Sequence, residues 1–338
     1  MAGSRSRPTR RSASSSREPA AVVAPWHELR RIVAEAAETP ADARVRAAAD
    51  ALLARCARDG VVGILFYGSS LWSPHRADLI DLYLLVDTPR AAGFGGLQSA
   101  LNRVLPPNVL YLETTDPHDG DRLGAKVAVV TWRQFRGGAA GRSTTPAIWA
   151  RFAQPCRLVH ARDARARAQI LDALSEATVT FHRKLLGLLP PITCPDQLWR
   201  LGLAETYARE LRSEAPSRAH AIVDASGAAL TARTPAAIRQ LVPDASIADD
   251  GSVRSHLSAW RRVRSRLIGR IARPVGKAVS LARVIKAAFT FDGGIDYVCA
   301  KIERHSGVEI QPTAFQRRHP LIGGWPLLWR IYRSGGLR

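Results

Sequence analysis

The sequence predicts an α/β domain followed by an all-helical domain. Apolar runs of strand length are confined to the first half, and helical periodicity dominates from residue 164 onward. A chain of 338 residues is long enough for two domains, which we place at residues 25–162 and 163–305. The predicted strands lie at 61–67, 81–86, 109–113, 125–131 and 157–160.

Each element of the first domain has a local sequence signal. Alanine, leucine, valine and isoleucine recur at helical spacing in residues 26–38 and 41–58, and Asp59-Gly60 ends the second of these helices. A glycine-rich turn precedes a short helix at 97–104. The polar connection 116–121 joins two strand-like runs and predicts a hairpin. Residues 147–154 complete the domain as a helix.

The second domain reads as helices joined by short polar connections. The apolar residues recur every three or four positions, as expected for helices that each bury one face. The predicted helices lie at 164–187, 195–214, 217–231, 234–240, 252–272, 276–289 and 293–305.

Both ends of the chain differ in composition from the domains. Residues 1–24 combine arginines with serines, which predicts a disordered basic tail. Residues 306–338 mix tryptophan, aliphatic and arginine side chains, which fits either an amphipathic segment at a membrane interface or a terminal helix docked on its own domain. No stretch reaches the length of a membrane span, and no signal-peptide pattern is present.

The charge of the chain is strongly unbalanced. It has 49 basic and 29 acidic residues, a net charge of +20 and a pI near 11.1, and nearly all of the excess is arginine. Such a field attracts phosphate-rich partners: nucleotides, nucleic acids or an anionic membrane surface. The arginines of 254–277 surround Trp260 and suit either a solvated face or a patch for phosphates or a membrane.

The most informative segment is 61–87. An apolar run ends in Tyr67-Gly68-Ser69-Ser70, and a second run opens with an acidic stretch that contains Asp81. A Gly-Ser turn lets backbone N–H groups and a hydroxyl approach phosphate oxygens closely. A carboxylate on the next strand is a hard oxygen ligand for Mg²⁺. This order predicts a nucleotidyltransferase fold of the polymerase-β type.

The sequence offers more than one candidate for a second metal ligand. The usual template has carboxylates at i and i+2, but the i+2 position after Asp81 is Tyr83. Asp87 lies about 20 Å away along an extended strand, too far to share one ion. Asp78 can join Asp81 only if the chain bends between them, and Glu113, at the end of a neighbouring strand, is a further candidate.

Six collinear motifs resemble one enzyme family, the peripheral CDP-diacylglycerol synthases of the mitochondrial translocator assembly and maintenance type and their bacterial relatives. The order of the motifs is preserved from about residue 60 to 301. They are Tyr67-Gly68-Ser69, Leu79 to Pro89, Ala125 to Val130, Ala150 to Pro155, Thr206 to Arg212, and Arg283 to Thr290.

The resemblance implies a reaction and a set of roles. The reaction converts CTP and phosphatidate to CDP-diacylglycerol and pyrophosphate, with Mg²⁺ as cofactor. Tyr67, Gly68, Ser69 and Ser70 would hold the triphosphate, and Asp81 the metal. Lys126 and Arg151 fall on family positions that contact phosphates. Contacts to substrate phosphate from the helical half are implied for Lys286, Thr290 and Arg212.

Two other function classes fit parts of the same sequence. A nucleotidyltransferase with RNA, a protein or a small metabolite as acceptor would share the motif at residues 67–81. A non-catalytic basic module that binds nucleic acid would explain the missing i+2 carboxylate. The resemblance favours a lipid acceptor, no nucleic acid partner, and a cytoplasmic enzyme, bacterial rather than of the mitochondrial matrix, peripheral to the inner face of a membrane.

Overall fold

The computed structural model describes residues 25–68, 71, 79–210 and 215–290, with the backbone alone for 215–218 and 287–290. The helices are α1 Pro25–Ala37, α2 Ala43–Ala54, α3 Gly96–Val104, α4 Trp132–Ala139, α5 Trp149–Phe152, α6 Ala164–Leu185, α7 Pro195–Tyr207, α8 Ala215–Thr231, α9 Thr234–Arg239 and α10 Ala259–Thr290. The strands are β1 Val61–Phe66, β2 Leu79–Val86, β3 Asn108–Thr115, β4 Arg122–Thr131, β5 Arg157–Ala161, β6 Ile192–Thr193, β7 Ala245–Ile247 and β8 Val253–Ser255.

A mixed five-stranded sheet forms the centre of the first half. Its order is β3-β4-β2-β1-β5, and β2 and β4 run parallel while the other neighbours are antiparallel. Every residue of β1 is buried, as expected for a central strand that is covered on both faces. The predicted α/β class is confirmed, and so is the hairpin, since β3 and β4 pair across residues 116–121.

The two faces of this sheet bury separate apolar cores. On one face α2 packs Ala48 and Leu52 against Ile64 and Leu84. On the other face α1, α4 and α5 cover the sheet, and the core continues without interruption into α6, α7, α8 and α9. The predicted helical part is therefore packed directly on the sheet face that carries Tyr67 and Tyr83.

The prediction that residues 163–305 are all-helical is wrong. β6, β8 and β7 form a small antiparallel sheet in that order. These strands are only two or three residues long, so they are too short to show the alternation that predicts a strand.

The C-terminal helix also differs from the prediction. We predicted separate helices at 252–272 and 276–289. Instead α10 is continuous from Ala259 to Thr290 with Pro274 inside it. Contacts on either side of the proline hold it: Arg273 pairs with Glu205 at 2.6 Å, and Gly276 packs against the backbone of Arg209.

Some predicted segments lie outside the described residues. These are the basic tail 1–24, the helix 293–305 and the amphipathic segment 306–338. In the described part, no helix is both long enough and apolar enough to cross a bilayer.

Candidate active site

Gly68 and Asp81 meet where β1 ends and β2 begins. The strands are antiparallel, and the backbone N–H of Tyr67 donates to the carbonyl oxygen of Asp81 at 3.2 Å. Gly68 has φ +97, in the region that side chains avoid, and a Cβ built on it would lie 3.1 Å from Oδ2 of Asp81. The Asp81 carboxylate therefore faces a stretch of bare backbone.

Lys126 lies beside Asp81 on the next strand. β2 and β4 are parallel and Asp81 is in register with Lys126, so both side chains leave the same face of the sheet. Tyr111 of β3 is in register with Lys126 and extends this row to the sheet edge. A carboxylate and an ammonium thus stand on adjacent strands, about 4.8 Å apart in backbone spacing, within reach of a single ligand.

Arg151 is held over two tyrosine rings on the same face. Its guanidinium carbon lies 5.1 Å from the Tyr67 ring centre and 5.9 Å from the Tyr83 ring centre, and Nη1 donates to the carbonyl of Ala147 at 3.3 Å. Burial acts to lower the pKa of Arg151, but Tyr67, Tyr83 and the Glu210 carboxylate outweigh it and hold that pKa above its usual value. The guanidinium is therefore a permanent cation with a fixed plane.

Tyr83 occupies the position where the usual template has its second carboxylate. Its ring packs edge-on against Tyr67 at 5.3 Å and against Phe152 at 5.0 Å between centres. The side chain at i+2 from Asp81 thus belongs to an aromatic cluster that supports Arg151, and it supplies no metal ligand.

A cavity of about 220 Å³ opens on the other side of Tyr83. Its lining is mostly apolar, with Pro107, Ile148 and the Tyr83 ring, and its polar side chains include Arg142, Thr145 and Arg283. No carboxylate of the described residues lines it. An arginine-bearing, largely apolar cavity suits a ligand that is part anion and part hydrocarbon.

Arg283 is a site residue that the sequence analysis missed. Its Nη2 donates to Oγ1 of Thr145 at 3.2 Å, while its buried Nε has no hydrogen-bond partner among the described residues. Burial lowers the pKa of Arg283, and the nearby Arg151 charge lowers it further against the opposing effect of Tyr83 and Glu210. Two sequence signals point to it: it opens the motif Arg283 to Thr290, and it lies three residues, about one helical turn, before Lys286.

Lys286 is engaged by the protein itself. Its ammonium donates to the carbonyls of Leu105 at 2.5 Å and Pro107 at 2.6 Å, and to Oδ1 of Asn108 at 3.0 Å. Burial lowers the pKa of Lys286 to about 8, and Arg283 adds to the shift. These bonds fasten α10 to the turn before β3, which borders the cavity.

Glu113 is not brought to Asp81. It pairs with Arg122 on the edge hairpin, and one whole strand, β4, lies between it and β2. Glu113 lies two strands away from Asp81 across the sheet and two residues away along the strand direction. The backbones at the two carboxylates are therefore about 12 Å apart. Glu113 and Asp81 therefore do not ligate one ion in this arrangement.

Five predicted site residues cannot be placed beside these. Ser69, Ser70, Asp78 and Arg212 lie outside the described residues, and Thr290 ends α10 where only the backbone is described. Their roles stay predictions.

The donor set at Asp81 fits Mg²⁺. Among the described residues, no three histidine, cysteine or acidic side chains gather around one point. Mg²⁺ is commonly bound by one or two carboxylates together with substrate phosphates and waters, so it does not require such a cluster. The Asp81 oxygen that faces the open backbone of Gly68 is a hard ligand of this kind.

The comparisons with known proteins give no assignment. No protein-family model matches the chain. No curated protein matches it either.

Proposed function

We propose that the chain is a Mg²⁺-dependent phosphatidate cytidylyltransferase that acts at a membrane surface. A phosphate oxygen of phosphatidate attacks the α-phosphorus of CTP. The bond between the α-phosphorus and the bridging oxygen breaks, and pyrophosphate leaves with that oxygen. CDP-diacylglycerol is the second product, and no protein nucleophile is required because the acceptor is already an anionic oxygen.

The observation that carries this proposal is the Gly68–Asp81 contact, with Lys126 in register beside it. Among the described residues, the Asp81 carboxylate lies next to the Gly68 backbone, and the Lys126 side chain leaves the same face of the sheet as Asp81. That combination suits a metal-bound polyphosphate, because the carboxylate holds the metal while the backbone and the ammonium contact phosphate oxygens.

Arg151 is proposed to bind the triphosphate from above the sheet. Its guanidinium is fixed by Tyr67 and Tyr83, so little side-chain entropy is lost when it contacts phosphate. Mg²⁺, when bound at Asp81, would neutralise charge on the phosphates as pyrophosphate departs. Ser69 and Ser70 are proposed to complete the phosphate contacts from the turn.

The cavity behind Tyr83 is proposed to receive the acceptor. Arg283, whose Nε has no hydrogen-bond partner in the described part of the chain, would contact the lipid phosphate. The apolar lining would contact the hydrocarbon next to it. Lys286 would hold the turn at 105–108 against α10 and so keep the cavity open. Thr290 and Arg212 remain proposed as further contacts to substrate phosphate.

The choice of CTP and phosphatidate comes from the motif resemblance. The structure supports it through the amphiphilic lining of the cavity and through the basic charge of the chain, which favours an anionic membrane. Cytoplasmic action at the inner face of a membrane, without a nucleic acid partner, belongs to the same proposal.

A substrate panel tests the proposal. The full chain is incubated with Mg²⁺ and each of the four nucleoside triphosphates, labelled at the α-phosphate, with phosphatidate in detergent or with RNA. Label in the lipid fraction from CTP supports the proposal. Label in RNA or in the protein indicates the alternative acceptors, and neither transfer nor nucleotide binding indicates a non-catalytic module.

The cavity assignment has its own test. Arg283→Gln should raise the KM for phosphatidate about 10-fold and leave the Kd of CTP within about 2-fold, since it removes one phosphate contact on the acceptor side only. Arg103→Gln, at an exposed position on α3, is the matched control. An unchanged KM in Arg283→Gln would place the acceptor elsewhere.

A further inference from the structure

The N-terminal half of α10 has one face fixed on the protein and the opposite face in solvent. On the inner face, a Cβ at Gly276 would lie 2.2 Å from the carbonyl oxygen of Arg209, and one at Gly269 would lie 3.1 Å from Leu188. Arg261 pairs with Asp244 in a two-pronged ion pair, and Arg273 pairs with Glu205. These contacts fix which side of the helix points outward.

The outward side is apolar. Twelve large hydrophobic side chains are exposed in the described part of the chain, and six of them lie on sixteen residues of this helix. Trp260 is 73% exposed, and Leu267 and Ile271 are each 57% exposed. The stripe consists of Trp260, Val263, Leu267, Ile268, Ile271 and Val275, whose spacing of three and four places them on one face. A continuous apolar stripe in solvent indicates an interaction surface.

Cations lie beside and within this stripe. Arg264, Arg266, Arg270 and Lys277 are exposed, and no carboxylate in the described part of the chain pairs with them. Residues 259–290 contain no aspartate or glutamate at all. On a helix of 3.6 residues per turn, Arg266, Arg270 and Lys277 fall along one margin of the stripe, and Arg264 falls within it. The surface therefore combines apolar and positive side chains.

We infer that this face of α10 docks on an anionic phospholipid bilayer and lies in the plane of the interface. The apolar stripe would enter the boundary of the acyl chains while the arginines meet lipid phosphates. A nucleic acid would use the arginines but would leave the leucine and isoleucine side chains without a partner. A second copy would cover the stripe but bring two rows of like charge together.

This inference rests on the proposed function and deepens it, because it names the surface that meets the membrane. The geometry is compatible with catalysis, because Arg283 lies farther along the same helix and lines the cavity proposed for the acceptor. The docking face itself takes no part in the chemistry at Asp81.

Vesicle flotation in the absence of nucleotide tests the inference. The vesicles contain phosphatidylcholine with or without about one-third phosphatidylglycerol, an anionic lipid that is not the proposed acceptor. We expect the wild-type chain to float with the anionic vesicles only. Leu267→Ser with Ile271→Ser, and separately Arg266→Gln with Arg270→Gln, should each weaken binding about 10-fold or more.

Two double variants at exposed positions outside α10 are the controls, one that removes apolar side chains and one that removes positive charge. Leu97 and Val104 are 75% and 82% exposed on α3, and Leu97→Ser with Val104→Ser should bind within about 2-fold of wild type. Arg103→Gln with Arg165→Gln, at exposed positions off α10, should do the same. Thermal unfolding of all variants should be nearly unchanged, since only exposed side chains are altered.

The outcomes are separable from those for the enzyme reaction. Transfer to a short-chain phosphatidate in detergent reports the chemistry, and flotation reports the docking. The inference is overturned if wild type ignores anionic vesicles, if both α10 variants float as wild type does, or if the apolar variant loses only self-association. Loss of RNA binding in the arginine variant, with flotation intact, would likewise overturn it in favour of a nucleic acid.

Discussion

Gly68 and Asp81 leave little room for a side chain between them: a Cβ on Gly68 would lie 3.1 Å from the Asp81 carboxylate oxygen, and Gly68 has φ +97. The antiparallel pairing of β1 and β2 produces this contact, since the Tyr67 N–H bonds the Asp81 carbonyl. A carboxylate aimed at bare backbone would suit a ligand that carries both a metal and phosphate oxygens. The proposed enzyme reaction depends on this relationship.

Gly68→Ala should damage both the fold and the site. The positive φ costs about 1–3 kcal/mol of unfolding free energy for any side chain, and the new methyl group crowds the carboxylate. We expect Mg·CTP affinity to fall about 10-fold or more, measured by calorimetry beside urea unfolding.

Gly93→Ala is the control for strain alone. Gly93 has φ +80, and nothing lies within 4 Å of the position that a Cβ would take there. It should lose similar stability without losing affinity for Mg·CTP. Equal losses of affinity in both variants would show that strain, and not the contact with Asp81, governs binding.

Arg151→Lys tests the planar cation over the tyrosines. Lysine keeps the charge but lacks the plane that contacts the Tyr67 and Tyr83 rings. The Kd of Mg·CTP should rise about 10-fold, because a flexible ammonium is not preorganised for phosphate. Arg165→Lys on the exposed side of α6 should leave the Kd unchanged. An unaltered Kd in Arg151→Lys would remove Arg151 from the proposed site.

His182 should make the fold sensitive to acid. It is fully buried on α6, its Nδ1 donates to the Thr178 carbonyl at 2.8 Å, and Trp199 Nε1 donates to Thr234 beside it at 3.0 Å. Burial lowers the pKa of His182 to about 4 from 6.5. The unfolded chain therefore binds more protons between these values, and stability falls as pH drops through that window.

The expected loss is about 2 kcal/mol between pH 7.5 and 5, measured by urea unfolding. His182→Gln should flatten this slope even if it lowers stability at every pH. His27→Gln, at an exposed position on α1, should keep the wild-type slope. If His182→Gln retains the full slope, other groups cause the pH dependence.

Gly276→Ala tests the contact that orients α10. The new Cβ would lie 2.2 Å from the Arg209 carbonyl oxygen, so backbone has to move, and we expect a loss of about 1–3 kcal/mol. Gly227→Ala on α8 is the opposite case, because the atom nearest to the new Cβ would be 3.8 Å away. There alanine should stabilise by about 0.5–1 kcal/mol through helix propensity. Urea unfolding of both variants tests this: the free energy of unfolding should fall in Gly276→Ala and rise in Gly227→Ala.

The sequence allowed the large elements and part of the site to be predicted. Long apolar runs bounded by glycine or polar turns predicted the five strands of the main sheet, and Gly68 and Asp81 followed from the order of strand, turn and acidic strand. The helix α4 was missed, because its two glycines weaken the helical pattern.

The remainder depends on tertiary contacts that no local pattern reports. Arg283 reaches the cavity only because α10 continues past Pro274. Beside that proline, α10 is held by Glu205 of α7 and by Arg209, which follows α7. Tyr83 was noted only as a missing carboxylate. Its role in supporting Arg151 becomes visible once α5 is packed on the sheet.

The most direct measurement is calorimetric titration of Mg·CTP into the wild-type chain, Asp81→Asn and Asp87→Asn. Asp87 follows the other end of β2 and pairs with Arg162 at 2.6 Å, so it controls for removing a carboxylate next to the same strand. We predict that the affinity of Asp81→Asn is lower by about 100-fold or more, while Asp87→Asn binds within about 2-fold of wild type. Equal binding by wild type and Asp81→Asn, or no binding by wild type, would contradict the assignment of a metal-bound nucleotide to the Gly68–Asp81 site.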